Sequence, residues 1–379
     1  MQRYAVVPPV VTAEMLNYTH WRYALLIGSV VFNAAVQLLI LQCGWSAKLR
    51  DWAESRACCW LAQLGLFLTG LTLLTSAIHF PYGFLAGFVL EQHFGLSTQS
   101  WLSWLADYCK ELAVAFCGTI VSWSLVFWCI RKFTRGWPII LGASLSVMLA
   151  TVIFIYPVVI DPLFNSYIRM PDGSLRSGIV RLADSVGIAN VPVFVVDKSK
   201  QTNKLNAEVT GLFSSARVVV WDTTLKRMRP DEVLSVVGHE LGHFVLHHIL
   251  KGYLLSVCGI LCGMWLAGKL LPGLTTRLPR RWGIKGMSDP AIIPAIMLTL
   301  GLLGFLAEPL VNAVSRSMEA EADQFGLAIT GDRAAMARAF VALSQNNLSD
   351  PDPPAVIRFW FFSHPSLRER IDFALGITR

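Results

Sequence analysis

The chain has 379 residues, of which 54% are hydrophobic and only 15% charged, a balance that excludes an ordinary soluble globular domain. The apolar residues come in long unbroken runs rather than at helical or strand periodicity, which also excludes a soluble enzyme with an oversized core. The formal net charge of +7 lies on lysines and arginines dispersed over loops, with no basic stripe interleaved with aromatics. That pattern fits basic loops flanking membrane spans and excludes nucleic acid as a partner.

About 20 consecutive apolar residues cross the hydrocarbon as a helix. Six stretches meet this length: 23–43, 58–78, 112–130, 138–160, 249–271 and 291–314. The first is read as a retained span, because a mostly non-basic leader precedes it and no small-residue cleavage site follows it. Residues 1–160 are therefore expected to form an N-terminal membrane domain with four spans. Residues 161–248 differ in kind, being polar and charged with short strand-like runs at 191–196 and 217–221. They are expected to form a soluble or half-embedded domain, followed by two spans within 249–314 and a second such polar segment at 315–379. All eight cysteines fall inside or at the edge of apolar stretches, which argues against a cysteine zinc site or a disulfide framework. The expected fold is mainly α and integral to the membrane. It comprises about six transmembrane helices and a small α/β unit built from 161–248 and 315–379.

The sharpest local signal is Gly238-His239-Glu240-Leu241-Gly242-His243, inside the proline-free run 231–248. Asp231 and Glu232 follow Pro230, as expected where a helix begins. Residues four apart on a helix share a face, so His239 and His243 can reach one ion. Glu240 then projects beside them, towards the water that such an ion polarises, as a general base does. His247 continues that face by a turn and is read as a neighbour. The competing reading is two histidines packed at the end of a membrane helix. A catalytic zinc needs a third protein ligand, and residues 315–326, just after the sixth stretch, supply candidates. Glu319 and Asp323 are four apart on one face, whereas Glu321 points away and reads as solvated. Glu319 is assigned as the third ligand, and Asp323 as the acceptor that holds the ring N–H of a zinc histidine.

HELGH followed by S-R-x-x-E-x-x-A-D resembles the type I CAAX prenyl endopeptidase family of integral-membrane zinc metalloproteases. The resemblance extends to Asp161-Pro162-Leu163-Phe164, Ser199-Lys200, Asn206-Ala207, Gly211, the run 217–220 with Asp222-Thr223, and Ser363-His364-Pro365-Ser366 with Arg368, Glu369 and Arg370. It implies one zinc ion per chain and a peptide or protein substrate, lipidated or membrane-embedded. It also implies that Asn206 and Ala207 lie on a sheet edge that pairs with the substrate, and that His364 lies near the scissile carbonyl. The chemistry agrees, since an amide can hold a peptide carbonyl and an imidazole can stabilise an oxyanion. Taken alone, Asn206 also reads as a turn residue, and His364 as a neighbour of a helix start at Pro365. Arg316 is expected in a structural ion pair. The sequence departs from the family in showing six spans where eukaryotic members have seven, and in Ser366 standing for a second proline.

Two other functions compete with processing of prenylated peptides: membrane quality control by the same chemistry, and transport with an incidental metal site. Transport predicts charges lining the spans, but Lys251 and Lys269 lie near span ends, where they can snorkel. Six spans put both polar segments on one side. The basic short loops, with Lys48, Arg50, Arg56, Arg131, Lys132, Arg135, Arg277, Arg280, Arg281 and Lys285, lie on the other. The positive-inside rule then places the active site on the outer side, whereas the family resemblance implies the cytosolic side.

Overall fold

The computed structural model describes residues 6, 7, 9–133, 135–211 and 216–377. Six helices are long and apolar enough to cross a membrane: Ala13–Gln42, Trp60–His93, Trp101–Lys132, Trp137–Leu163, His248–Leu271 and Pro290–Thr330. They coincide with the six expected stretches, and most run further into polar sequence. Several of their sparse hydroxyls bond back to their own helices, as Thr75 Oγ1 does to the Leu71 carbonyl at 2.8 Å, which pairs those groups without water.

Two extensions matter for the site. The second span continues past Ile78 through a π-helical turn at Leu85–Val89, carrying Glu91 to a salt bridge with Lys204. The last span does not stop where its apolar run ends at 314. Ile293–Thr330 is one helix, so the acidic stretch at 319–323 is the membrane helix itself continued. At the opposite end, the short helix Trp45–Arg56 buries Arg50 in an ion pair with Asp289, which joins the first loop to the last.

The first polar segment folds as a four-stranded sheet of order β1-β2-β4-β3. The strands are β1 (Tyr167–Arg169), β2 (Val193–Val196), β3 (Ala207–Thr210) and β4 (Arg217–Trp221). β2 and β4 are the runs expected from their valines and pair in parallel; β1 and β3 flank them antiparallel. β3 is thus an edge strand. The helix Pro230–Val245 lays Val233, Val237 and Leu241 on the sheet beside Val218 and Val220. These residues recur every four positions, so the histidines on another face turn away from the sheet, towards the Ile293–Thr330 helix.

These two helices approach backbone to backbone. A Cβ on Gly326 would lie 2.8 Å from the His239 amide nitrogen, and one on Gly242 would lie 3.1 Å from Ala322 Cα. Small residues at positions 238, 242, 322 and 326 form the seam that brings the two ligand-bearing helices together.

Candidate metal centre

His239 Nε2, His243 Nε2 and the Glu319 carboxylate converge at this seam. The two ring nitrogens are 3.1 Å apart, and each lies 3.3 Å from a Glu319 oxygen. A tetrahedral ion with bonds of about 2.0–2.1 Å has ligand-to-ligand edges of about 3.3 Å, so these three groups outline one of its faces.

The hydrogen-bonding state of each group supports the same fit. His239 Nδ1 lies 2.8 Å from Asp323 Oδ1, which accepts the ring N–H there, so that Nε2 is the nitrogen that gives up its proton to bind an ion. Asp323 is held in turn by Arg370, whose Nε and Nη2 donate to its two oxygens at 2.8 and 2.7 Å. His243 Nδ1 is 2.9 Å from His248 Nδ1, and His248 Nε2 reaches Glu321 at 3.2 Å. Among the described residues, Glu319 Oε2 is buried with no hydrogen-bond partner. Two imidazole nitrogens and a carboxylate, gathered in one largely buried spot, form a donor set suited to a cation between them. The residues present fit a metal ion.

Electrostatics follow from this crowding. Burial alone would push the His239 imidazolium down, but Asp323 and Glu319 outweigh it and raise its pKa to about 9 in the metal-free protein. Burial raises the Glu240 carboxyl above the ordinary range, against the opposing pull of His239 and His243.

The other expected residues also surround the cleft. His364 Nε2 is 3.3 Å from Glu319 Oε1, and its Nδ1 is 2.9 Å from Ser363 Oγ. The Asn206 carbonyl accepts from the Trp221 N–H, so by antiparallel alternation the backbone groups of Ala207 and Val209 face the free edge of β3. The Asn206 Oδ1 already accepts the Ala207 N–H at 2.9 Å. Ala207 is only 1% exposed, backbone included, whereas Val209 is half-buried, so the accessible part of this edge begins at Val209.

Three details differ from expectation. Arg316 donates to the backbone carbonyls of Phe362 and Arg358 instead of to an acid, and so tethers the segment before His364. Glu321 is not simply solvated, since it pairs with His248 and Lys251. Arg370 and His248 carry the histidine partners without having been singled out. Their sequence signals, an arginine one helical turn after Ser366 and a second histidine after the motif, are weak alone.

Metal-ligating groups on crossing helices, within an apolar six-helix scaffold, define an integral-membrane metalloprotease. The sequence model of Peptidase family M48 matches residues 169–378, and that of the CAAX prenyl protease N-terminal region, with five membrane helices, matches residues 6–166. The chain belongs to Peptidase family M48. Within residues 6–166 the described structure has four long apolar helices and the short helix Trp45–Arg56. The chain is 34% identical over 343 residues to the uncharacterized metalloprotease YhfN of Bacillus subtilis, covering 89% of this chain and 79% of that protein. It is 29% identical over 329 residues to CAAX prenyl protease 1 of Saccharomyces cerevisiae, covering 82% and 72%. The crystal structure of S. mikatae Ste24p matches with a TM-score of 0.85 at 26% identity, over 98% of this chain and 92% of that one. Neither quality control nor transport is favoured by these relatives.

Proposed function

We propose that the metal is zinc, held by His239, His243 and Glu319, and that the enzyme cleaves peptide bonds in lipidated or membrane-embedded polypeptides. The observation that carries this reading is the 3.1–3.3 Å triangle of two imidazole nitrogens and a carboxylate. Two nitrogens with one carboxylate are a donor set that catalytic zinc takes. Among the relatives, those named CAAX prenyl protease 1 supply the substrate class by name.

When bound, zinc supplies Lewis acidity towards water and the scissile carbonyl. Glu240 removes the proton of the attacking water and returns it to the leaving amine; its raised pKa suits both transfers. The substrate lies extended along the free edge of β3, pairing with the backbone of Val209, with the Asn206 amide beside it. His364 donates a hydrogen bond to the developing oxyanion. Asp323 keeps the His239 proton on Nδ1, so that Nε2 remains a ligand. In this reading, 161–248 and 315–379 form the catalytic domain, and 1–160 with 249–314 the membrane domain.

The test is metal analysis of purified protein together with cleavage of a peptide library, with and without a chelator and after zinc is restored. Cleavage that survives complete metal removal would refute the proposal. A reporter fused at the C-terminus assigns the face of the site. Phosphatase activity places it outside, as the basic loops favour, and cytoplasmic fluorescence places it inside, as the family resemblance favours.

A further inference from the structure

We infer that Glu208 selects substrates by charge: its carboxylate receives a lysine or arginine side chain of the polypeptide lying along β3. The inference rests on the reading of β3 as the strand with which the substrate pairs.

Side chains alternate along a strand. Ala207 and Val209 turn into the core beneath β3, packed with Val218, Val220 and Leu241. Glu208 is therefore on the other face of the sheet, half-buried, where Asp161 and Glu240 act on it electrostatically. Among the described residues, no hydrogen bond or ion pair is formed by its carboxylate. The two cations near it are engaged elsewhere. Lys198 lies over the Trp221 ring at 5.3 Å. Arg217 stacks on Tyr167 at 5.2 Å and donates to the Pro157 carbonyl.

A half-buried carboxylate between two further acids, with no cation of its own, is raised in pKa by desolvation first and by Asp161 and Glu240 next. An incoming ammonium or guanidinium relieves both effects. The position is also geometrically apt, because a strand added to the edge of β3 brings its side chains opposite those of β3 on each face. Opposite charges facing one another across strands stabilise the pairing, and like charges disfavour it.

The surroundings extend the same polarity. Asp161 lies on the wall of a neighbouring cavity of about 570 Å³ with Glu111 and Lys198, while Glu91 and Asp107 on the same wall are paired with Lys204 and Lys110. A basic segment of substrate approaching β3 from this side meets the Asp161 and Glu111 carboxylates before it reaches Glu208.

The experiment starts from a peptide that the enzyme cleaves in the library assay above. Variants of that peptide carry Lys, Gln or Glu at each position flanking the scissile bond. They are compared on the full-length zinc-loaded wild type, Glu208→Gln and Glu208→Lys. At one position the wild-type kcat/KM for the Lys peptide should exceed that for the Glu peptide by about tenfold, chiefly through KM. The ratio should fall to about one in Glu208→Gln and invert in Glu208→Lys. A ratio taken within each preparation cancels any general loss of folding or activity. A wild type indifferent to charge at every position, or a Glu208→Gln enzyme that keeps the wild-type ratio, overturns the inference while leaving the protease reading intact.

Discussion

Arg370 grips Asp323 through two hydrogen bonds, from Nε to Oδ2 at 2.8 Å and from Nη2 to Oδ1 at 2.7 Å, with both side chains buried. The pair joins the last helix of the chain to the helix that bears Glu319, and Asp323 passes this constraint to His239. A carboxylate fixed in this way holds the imidazole in one tautomer and one orientation. Asp323→Asn and Arg370→Gln should each weaken zinc binding by roughly 10–100-fold. Competition with a calibrated chelator measures this, and unchanged affinity in both variants would show that the pair is only structural.

Glu240 is the base in the proposed mechanism but makes no contact that holds the metal triangle together. Glu240→Gln preserves size and hydrogen-bonding capacity while removing the basic oxygen. It should retain zinc at wild-type stoichiometry and lower kcat by about 10²–10⁴. Metal content and turnover are to be measured on the same preparation. A variant that keeps its zinc and still turns over at the wild-type rate removes Glu240 from the proton transfers.

What could be read from the sequence follows the range of the interactions involved. The spans were legible because apolar runs are local, and His239, His243, Glu319 and Asp323 because each pair is four apart on one helix. β1 is not legible and β3 only through the resemblance that puts Asn206 and Ala207 on a sheet edge, because strands of three and four residues carry no periodicity. The continuity of Ile293–Thr330 was hidden by the abrupt change from apolar to charged sequence at 314, which reads as the end of a span although the backbone continues. Arg370 was known only as part of a resemblance, since nothing local announces that a residue 47 positions from Asp323 will meet it. His248 was obscured because His247, at φ 56°, turns the chain between two helices and carries the next histidine back to His243.

Zinc and protons compete for His239, and the sign of that competition is fixed by its raised pKa. In the metal-free fold His239 holds its proton up to about pH 9, against about 6.5 when unfolded. The protonated interaction with Asp323 and Glu319 therefore stabilises the metal-free protein fully below about 6.5, and this contribution is lost as pH rises to about 9. Zinc must displace the proton, so apparent zinc affinity should climb by about tenfold per pH unit across that window. Titration with buffered zinc from pH 6.5 to 9 measures the slope. A flat profile would show that His239 is already neutral in the metal-free fold.

Gly326 sets how closely the two ligand-bearing helices approach. A methyl group there would meet the His239 nitrogen at 2.8 Å, the Gly238 carbonyl carbon at 3.0 Å and His239 Cα at 3.0 Å. All three are backbone atoms of a helix, so no side chain can swing aside and the helices must separate. Overpacking of this kind destabilises by about 1–3 kcal/mol. Because Glu319 and the histidines lie on opposite sides of the seam, the same displacement stretches the triangle that holds the metal. Gly326→Ala should therefore lower both the melting temperature and the zinc content of the purified protein. Gly304 serves as the control: it lies in the same helix with nothing within 4 Å of its virtual Cβ. Gly304→Ala should be neutral or slightly stabilising, since alanine is the better helix former. If both variants keep wild-type melting and zinc, the seam tolerates a wider crossing and close approach is not what assembles the site.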